Sequence, residues 1–318
     1  MSDAVRIGVL GCADIAVRRM LPAFAAHPGT RVAAVASRDP DRARRTADRF
    51  GGRPMYGYAE LLARDDVDAV YLPLPAALHA DWTRAALDAG KHVLVEKPIA
   101  QDADTAAGLC ERARSAGLAL VENVLFLHHP QHAAVQRLIA EGAIGELRSL
   151  QAVFTIPAPG EHDIRHDPEL GGGALADVGL YPVRAALHLL GGRLEVVGAH
   201  LAAGPGRRVE TSGGALLRTP HDVTVHLEFG MAHAYRSEYQ LWGSEGGIRV
   251  QRAFTPPADH VPDVVLQRGG RTERIRLDPF DQVAAAVGAF ADAVRKGAAP
   301  DEDMVAQAAL LDAIRTSA

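Results

Sequence analysis

Gly90-Lys-His-Val-Leu-Val-Glu-Lys-Pro98 is a run of β-formers that begins after a glycine and stops at a proline. A short apolar run between such breakers reads as a buried parallel strand. Proline cannot continue a central strand and pushes its predecessor into extended geometry. Lys97 therefore falls at the carboxyl end of the strand, where open α/β sheets place their ligands. Alone, the segment fits a salt-bridged rim lysine equally well, so the alternation around it has to decide.

That alternation runs from the start of the chain. Residues 5–10 read as a strand that enters Gly11-Cys-Ala-Asp-Ile-Ala16 and continues into a helical pattern over 18–26. A strand, a small-residue turn and a helix N-terminus let backbone N–H groups approach a pyrophosphate. Against G-x-G-x-x-G, the chain keeps Gly11 but has Ala13 and Ala16, a degenerate match that gains weight from a strand at 31–36 and a helix at 40–50, which complete a βαβ unit. Gly11, Cys12, Ala13, Asp14, Ile15 and Ala16 are the candidate cofactor turn.

A short segment near 55–58, strands at 69–72, 92–96 and 118–121, and helices at 77–89 and 102–117 continue the pattern of a doubly wound parallel sheet. Pro73-Leu74-Pro75 and His79 follow the strand at 69–72, on the same sheet edge as Gly11, Ser37 and Lys97. Together these loops outline one dinucleotide-sized cleft.

The residues after the second strand bear on cofactor choice. NAD sites place an acidic residue there for the ribose 2′-OH, whereas this chain has Ser37-Arg38. A guanidinium pairs with a 2′-phosphate and serine donates to it, which favours NADP(H). Asp39 is a competing acidic candidate, and Arg38 also reads as a solvated residue before a helix cap.

Composition sets the outer limits. The 318 residues are 48% hydrophobic and 23% charged, the balance of a soluble globule, and suit two domains, expected at 1–122 and 123–318. No apolar run approaches the roughly 20 residues of a membrane span, and Met1-Ser-Asp-Ala-Val-Arg6 has no signal-peptide pattern. Cys12 and Cys110 form no disulfide framework, which fits a reducing cytoplasm. Net charge is −5, with 34 basic and 39 acidic residues interspersed, unlike a nucleic-acid binder.

Beyond residue 123 the texture changes to α+β. A helix starts at Pro130, and strands are expected at 148–156, 195–201, 223–229, 232–241, 247–250, 263–267 and 272–277. Helices are expected at 174–190, 279–296 and 301–315. Polar and apolar residues alternate in 221–229, so the mainly antiparallel sheet has one buried and one open face. An open face carrying Tyr235, Tyr239 and Trp242 is expected to join copies of the chain into a dimer or tetramer.

These motifs are similar to those of the glucose-fructose oxidoreductase, inositol dehydrogenase and rhizopine-catabolism (Gfo/Idh/MocA) family. The family's turn appears as Gly11-Cys-Ala-Asp-Ile-Ala16, its Glu-Lys-Pro as Glu96-Lys-Pro98, and its Asp-x-Gly-x-His as Asp177-Val-Gly-Leu-Tyr181, with tyrosine in place of the usual histidine. Phe126-Leu-His-His-Pro-Gln-His132, Phe154-Thr-Ile-Pro157, Gly171-Gly-Gly-Ala-Leu175, Ala232-His-Ala-Tyr-Arg236 and Phe254-Thr-Pro-Pro257 further resemble the nucleotide-sugar 3-ketoreductases of deoxysugar and antibiotic biosynthesis. The resemblance implies NADPH-dependent reduction of the C-3 keto group of a TDP-linked 3,4-diketo-2,6-dideoxyhexose, with Lys97 and Tyr181 as the catalytic pair. It also implies that Tyr58, Leu74, His79, Arg165 and Asp177 line the cofactor, and that Arg19 and Thr255 approach the substrate.

The residue types suit that chemistry. Hydride delivery to a ketone leaves an alkoxide; a phenol, ordinarily titrating near 10, or an amine, near 10.4, can protonate it, and a cation stabilises the charge. A packed aromatic is the alternative for Tyr181. His128, His129, His132, His162 and His166 invite a metal reading, but no Cys or Glu completes a set and ketone reduction needs no Lewis acid, so no metal is expected. Dehydrogenation of a free sugar, cyclitol or dihydrodiol, and a dinucleotide-sensing regulator, are the alternative functions. Retention of both Lys97 and Tyr181 argues against the regulator.

Overall fold

The structure, a computed structural model, describes residues 4–318 in two compact units. The first takes the chain as far as Val124 together with Val283–Val305, and the second takes Leu125–Gln282 with Ala306–Ala318. Sequence alone put one boundary after residue 122; the chain also returns to the first unit for Val283–Val305.

In the first unit, β1 (Val5–Leu10) enters a π-helical turn (Ala16–Met20) and α1 (Leu21–Ala26). Then follow β2 (Thr30–Ser37), α2 (Pro40–Phe50), β3 (Arg53–Tyr56), α3 (Tyr58–Leu62), β4 (Ala69–Leu72), α4 (His79–Asp88), β5 (His92–Glu96), α5 (Ala103–Ala116) and β6 (Leu120–Asn123). The six strands lie in the order β3-β2-β1-β4-β5-β6, all parallel, the doubly wound dinucleotide-binding order. Val9, Val70, Tyr71, Val93 and Val95 are fully buried because helices cover both faces. The exposed β3, which contains Pro54, forms an edge, where a missing N–H is harmless. Local chemistry sets the helix ends: Asp39 and Asp102 cap α2 and α5, and Gly117 ends α5 in the left-handed region at φ 66°.

The second unit holds α6 (Pro130–Ala140), β7 (Leu147–Thr155), a π-helical turn (Leu175–Gly179) and α7 (Leu180–Leu190). They are followed by β8 (Glu195–Ala202), β9 (Ser212–Arg218), β10 (Thr224–Gly230), β11 (Arg236–Gly243), β12 (Gly246–Gln251), β13 (Asp263–Arg268) and β14 (Arg271–Ile275). Next, α8 (Gln282–Lys296) carries the chain into the first unit, and along α9 (Asp303–Thr316) it returns to the second from Ala306 onward. The eight strands run β14-β13-β12-β11-β7-β10-β9-β8, antiparallel except for the parallel pair β7 and β10. The apolar α7 packs on β7 and β10.

Several expectations need correction. β9 is a strand that sequence reading missed, because Ser212-Gly-Gly214 looks like a loop. A Cβ on Gly213 would lie 2.7 Å from the His200 carbonyl oxygen and 2.8 Å from the Phe229 ring, so close packing is what demands glycine in this strand. The strand expected over 232–241 begins only at Arg236, since the preceding loop is tied elsewhere: the Thr155 hydroxyl donates to the Ala234 carbonyl at 2.7 Å. Tyr239 does not lie on the open face. It is 1% exposed, three residues from Trp242 at 44%, and period-two alternation puts the two on opposite faces.

Candidate active site

In the first unit, the turn after β1 is shaped for close approach of a ligand. Gly11 has φ 117°, and a Cβ there would come within 3.0 Å of the Leu74 side chain, so only glycine fits. Cys12 and Ala16 are buried, Ala13 and Ile15 half-buried, and Asp14 exposed in an ion pair with Arg18 at 2.9 Å. Arg19 is exposed on the π-helical turn.

At the end of β2 the competing acidic candidate, Asp39, is engaged with the helix that follows. The Asp39 carboxylate accepts the N–H groups of Asp41 and Arg42 at 2.9 and 3.1 Å, so it serves as the cap of α2. The neighbouring positions are cationic. Burial pushes the Tyr58 phenol upward, and Arg38 and Arg42 bear on it electrostatically in the opposite sense. Arg42 also faces Cys12, whose thiol burial raises. Sequence reading missed Arg42; its signal is the four-residue spacing from Arg38 across the cap. Gly11 and this pair of guanidinium groups fit a dinucleotide carrying an extra phosphate.

Lys97 follows β5, and its chain neighbours are fixed by buried side chains. Glu96 accepts from the Tyr71 hydroxyl at 2.6 Å and from Asn123 Nδ2 at 2.7 Å. Burial and the adjacent Glu96 push the Tyr71 phenol well up, keeping it a donor. Beyond the cis Lys97–Pro98 bond, Ile99 N–H donates to Glu122 Oε1 at 2.8 Å. His79 is 1% exposed, with Nδ1 2.7 Å from the Pro98 carbonyl and Nε2 2.8 Å from the Leu74 carbonyl. Its ring sits between the Leu74 loop and the segment carrying Lys97, one N–H donating to one of the two carbonyls, and it presents no free polar edge to a ligand. Tyr58, 9% exposed, packs edge-on against Trp82 at 5.0 Å, and Leu74 remains half-buried over Gly11.

In the second unit, Tyr181 is the second residue of α7, half-buried in an aromatic nest. Its ring centroid lies 4.9 Å from Phe154, 5.8 Å from Phe254 and 6.1 Å from Phe126. Asp177 sits on the preceding π-helical turn, where its carboxylate takes Arg165 Nε at 2.6 Å; Asp163 holds the same guanidinium at 3.2 Å. Burial opposes the Arg165 charge, and the two carboxylates more than offset it. The Thr255 hydroxyl lies 3.0 Å from the Tyr235 hydroxyl. Of the histidines that suggested metal, His129 and His132 are buried, and burial moves His129 down to about 4. Among the described residues no three His, Cys, Asp or Glu side chains converge as a metal-binding group.

A parallel sheet with a glycine turn, followed by a second unit built on a mixed sheet, fits the class of dinucleotide-dependent oxidoreductases. Residues 5–124 match the oxidoreductase family with the NAD-binding Rossmann fold, and residues 132–249 match the Gfo/Idh/MocA C-terminal domain. The chain belongs to the Gfo/Idh/MocA family of oxidoreductases. It is 52% identical to a dTDP-3,4-didehydro-2,6-dideoxy-α-D-glucose 3-reductase of Actinomadura kijaniata, over 100% of this chain and 96% of that one. A D-xylose 1-dehydrogenase (NADP+) of Haloferax volcanii is 36% identical over 98% of this chain and 96% of its own. The crystal structure of a 3-ketoreductase from Actinomadura kijaniata with NADP and TDP-benzene superimposes with a TM-score of 0.96, covering 99% of this chain and 98% of that one. No helix among the described residues is long and apolar enough to cross a membrane.

Proposed function

We propose that this chain is an NADPH-dependent ketoreductase that reduces the C-3 keto group of a TDP-linked 3,4-diketo-2,6-dideoxyhexose to give a 4-keto-2,6-dideoxyhexose. The observation that carries this reading is the 52% identity, along the whole chain, to a relative named for the same reduction. The likeness to a 3-ketoreductase holding NADP and TDP-benzene points the same way. Two buried free thiols, Cys12 and Cys110, suit a cytoplasmic enzyme.

The chemistry that NADPH supplies when bound is a hydride for the carbonyl carbon. Gly11 to Ala16 cradle its pyrophosphate, and Ser37, Arg38 and Arg42 take the 2′-phosphate. Tyr58, Leu74, Arg165 and Asp177 bound the cofactor site, while His79 acts behind it, between the Leu74 loop and the Lys97 segment. Lys97 and Tyr181 deliver the proton that the new alkoxide needs, and the Lys97 ammonium stabilises the developing negative charge. Arg19 and Thr255 orient the nucleotide sugar.

Anaerobic mixing of NADPH with nucleotide-linked and free keto-sugars, followed by loss of reduced-nicotinamide absorbance, tests the reading. Oxidation by the TDP-linked 3-keto substrate is expected. Turnover confined to free sugars would replace it with the reading suggested by the xylose dehydrogenase.

Cofactor choice gives a separate expectation. Arg38→Ala should weaken NADPH binding by about 1.5–3 kcal/mol, the worth of a charged hydrogen bond, while sparing NADH. Equal affinity of the unaltered enzyme for the two cofactors, by fluorescence titration, would contradict this.

The oligomer forms through the open face of the eight-stranded sheet. Trp242 at 44% exposure and Leu216 at 37% lie there, set apart by the polar row Gln240, Gln151 and His226. Sedimentation is expected to show a dimer or tetramer at micromolar concentration, and Trp242→Glu should shift it toward monomer.

A further inference from the structure

Two stretches singled out in the sequence, 126–132 and 254–257, meet inside the second unit. After β12, Arg252 takes up the left-handed region at φ 46° and turns the chain into Ala253-Phe254-Thr255. Buried side chains from three elements hold the next two peptide groups. Gln131 Nε2 and His132 Nε2 each lie 3.1 Å from the Ala253 carbonyl. Phe254 N–H donates to Ser237 Oγ at 3.0 Å, and Gln282 Nε2 donates to the Phe254 carbonyl at 3.2 Å. His132 Nδ1 is 2.9 Å from the Tyr239 hydroxyl.

These partners fix the protons. A carbonyl only accepts, so its 3.1 Å contact, shorter than the 3.4 Å from Gln131 Nε2, puts the hydrogen on His132 Nε2, and in the neutral ring Nδ1 then accepts from the Tyr239 hydroxyl. Burial, with His188 and His129 nearby, drives His132 well toward the neutral form that this arrangement needs. A polar cluster of this kind is costly to maintain. The Oε1 atoms of Gln131 and Gln282 are buried without a partner, so each amide is committed to its donor side.

What the clamp holds is the wall of the Tyr181 nest. Phe254 is fully buried, with its ring against Phe126, Phe154 and Tyr181, and the next residue, Thr255, turns its hydroxyl to Tyr235. We propose that His132, oriented by Tyr239, is a positioning residue for the keto-sugar reaction: through the Ala253 carbonyl it fixes Phe254 against Tyr181 and sets Thr255 for the substrate. The proposal rests on the reading of Tyr181 and Thr255 given above. His132 is 1% exposed, so it acts through its neighbours.

The test compares His132→Leu, His132→Gln and Tyr239→Phe for kcat/KM with the TDP-linked keto-sugar, NADPH dissociation constant and thermal midpoint. Glutamine keeps a donor at the Nε2 position, whereas leucine keeps only bulk. In His132→Leu, kcat/KM should fall by up to about 10²-fold, the scale of a small misplacement of reacting groups, with unchanged NADPH affinity. His132→Gln should recover most of that loss. Combining His132→Leu with Thr255→Val should give less than the product of the two separate losses, because both act on one contact. A folded His132→Leu enzyme with unaltered kcat/KM, or a loss that glutamine does not recover, overturns the proposal. If the leucine variant does not fold, Tyr239→Phe decides, since it removes one hydroxyl and the proton that fixes the tautomer; unaltered kcat/KM there is equally fatal. Tyr181→Phe, measured alongside, separates the two levels. Full activity in that variant would refute the reading of Tyr181, whereas a large loss there beside an indifferent His132 would refute only the clamp.

Discussion

Replacing Lys97 by alanine is expected to lower kcat for the nucleotide-linked keto-sugar by at least about 10²–10³-fold, the cost of removing one oxyanion-stabilising donor. The surroundings make this a clean experiment. The peptide around Lys97 is fixed by other residues: Glu96 by Tyr71 and Asn123, and Ile99 N–H by Glu122, with the His79 ring against the Pro98 carbonyl. Alanine leaves all of these in place, so the loss should report the missing ammonium, with the thermal midpoint and NADPH affinity nearly unchanged. An undiminished kcat would remove Lys97 from the proposed chemistry.

Tyr181→Phe should cost less, near the low end of the roughly 10²–10⁴-fold range of general acid catalysis, and leave measurable turnover. The ring contacts with Phe154, Phe254 and Phe126 survive this change, so only the hydroxyl is lost. An ammonium that can also protonate the alkoxide, directly or through water, accounts for the residual rate. Activity abolished by Tyr181→Phe would make the phenol the sole proton donor and reduce Lys97 to an electrostatic role. Steady-state rates for both variants, with NADPH titrations, decide the division of labour.

Sequence exposed these two residues by different routes. The position of Lys97 could be read from local physics, because a buried strand stopped by proline puts it at the sheet's carboxyl edge, but only the alternation around it set it apart from a salt-bridged rim lysine. Tyr181 could not: it sits in a helix whose neighbours are apolar, where packing is the default reading, and only the resemblance of Asp177-Val-Gly-Leu-Tyr181 to the family's Asp-x-Gly-x-His motif marked it. Arg42 was hidden for a third reason. It looks like a solvated residue of α2, and its approach to Cys12 and Tyr58 depends on the crossing of α2 with the glycine turn. The misplacement of Tyr239 was avoidable, since three residues separate it from Trp242 in one strand. The strand at Ser212–Arg218 was not, because Gly213 is required by neighbours distant in sequence.

The return of the chain to the first unit at Val283–Val305 has a consequence for biosynthesis. Val287, Phe290 and Ala291 of α8 are buried, and Arg295 donates to the Gly29 carbonyl at 2.9 Å. A ribosome making this protein releases all six strands of the dinucleotide-binding sheet long before the helix that finishes that unit. During the intervening translation, at roughly 5–20 residues per second, the nascent first unit waits with an apolar seam open while the second sheet emerges. The half of the enzyme that starts first is thus completed only after Leu125–Gln282 of the second unit has been made, and a fragment cut at Val124 would lack its closing piece.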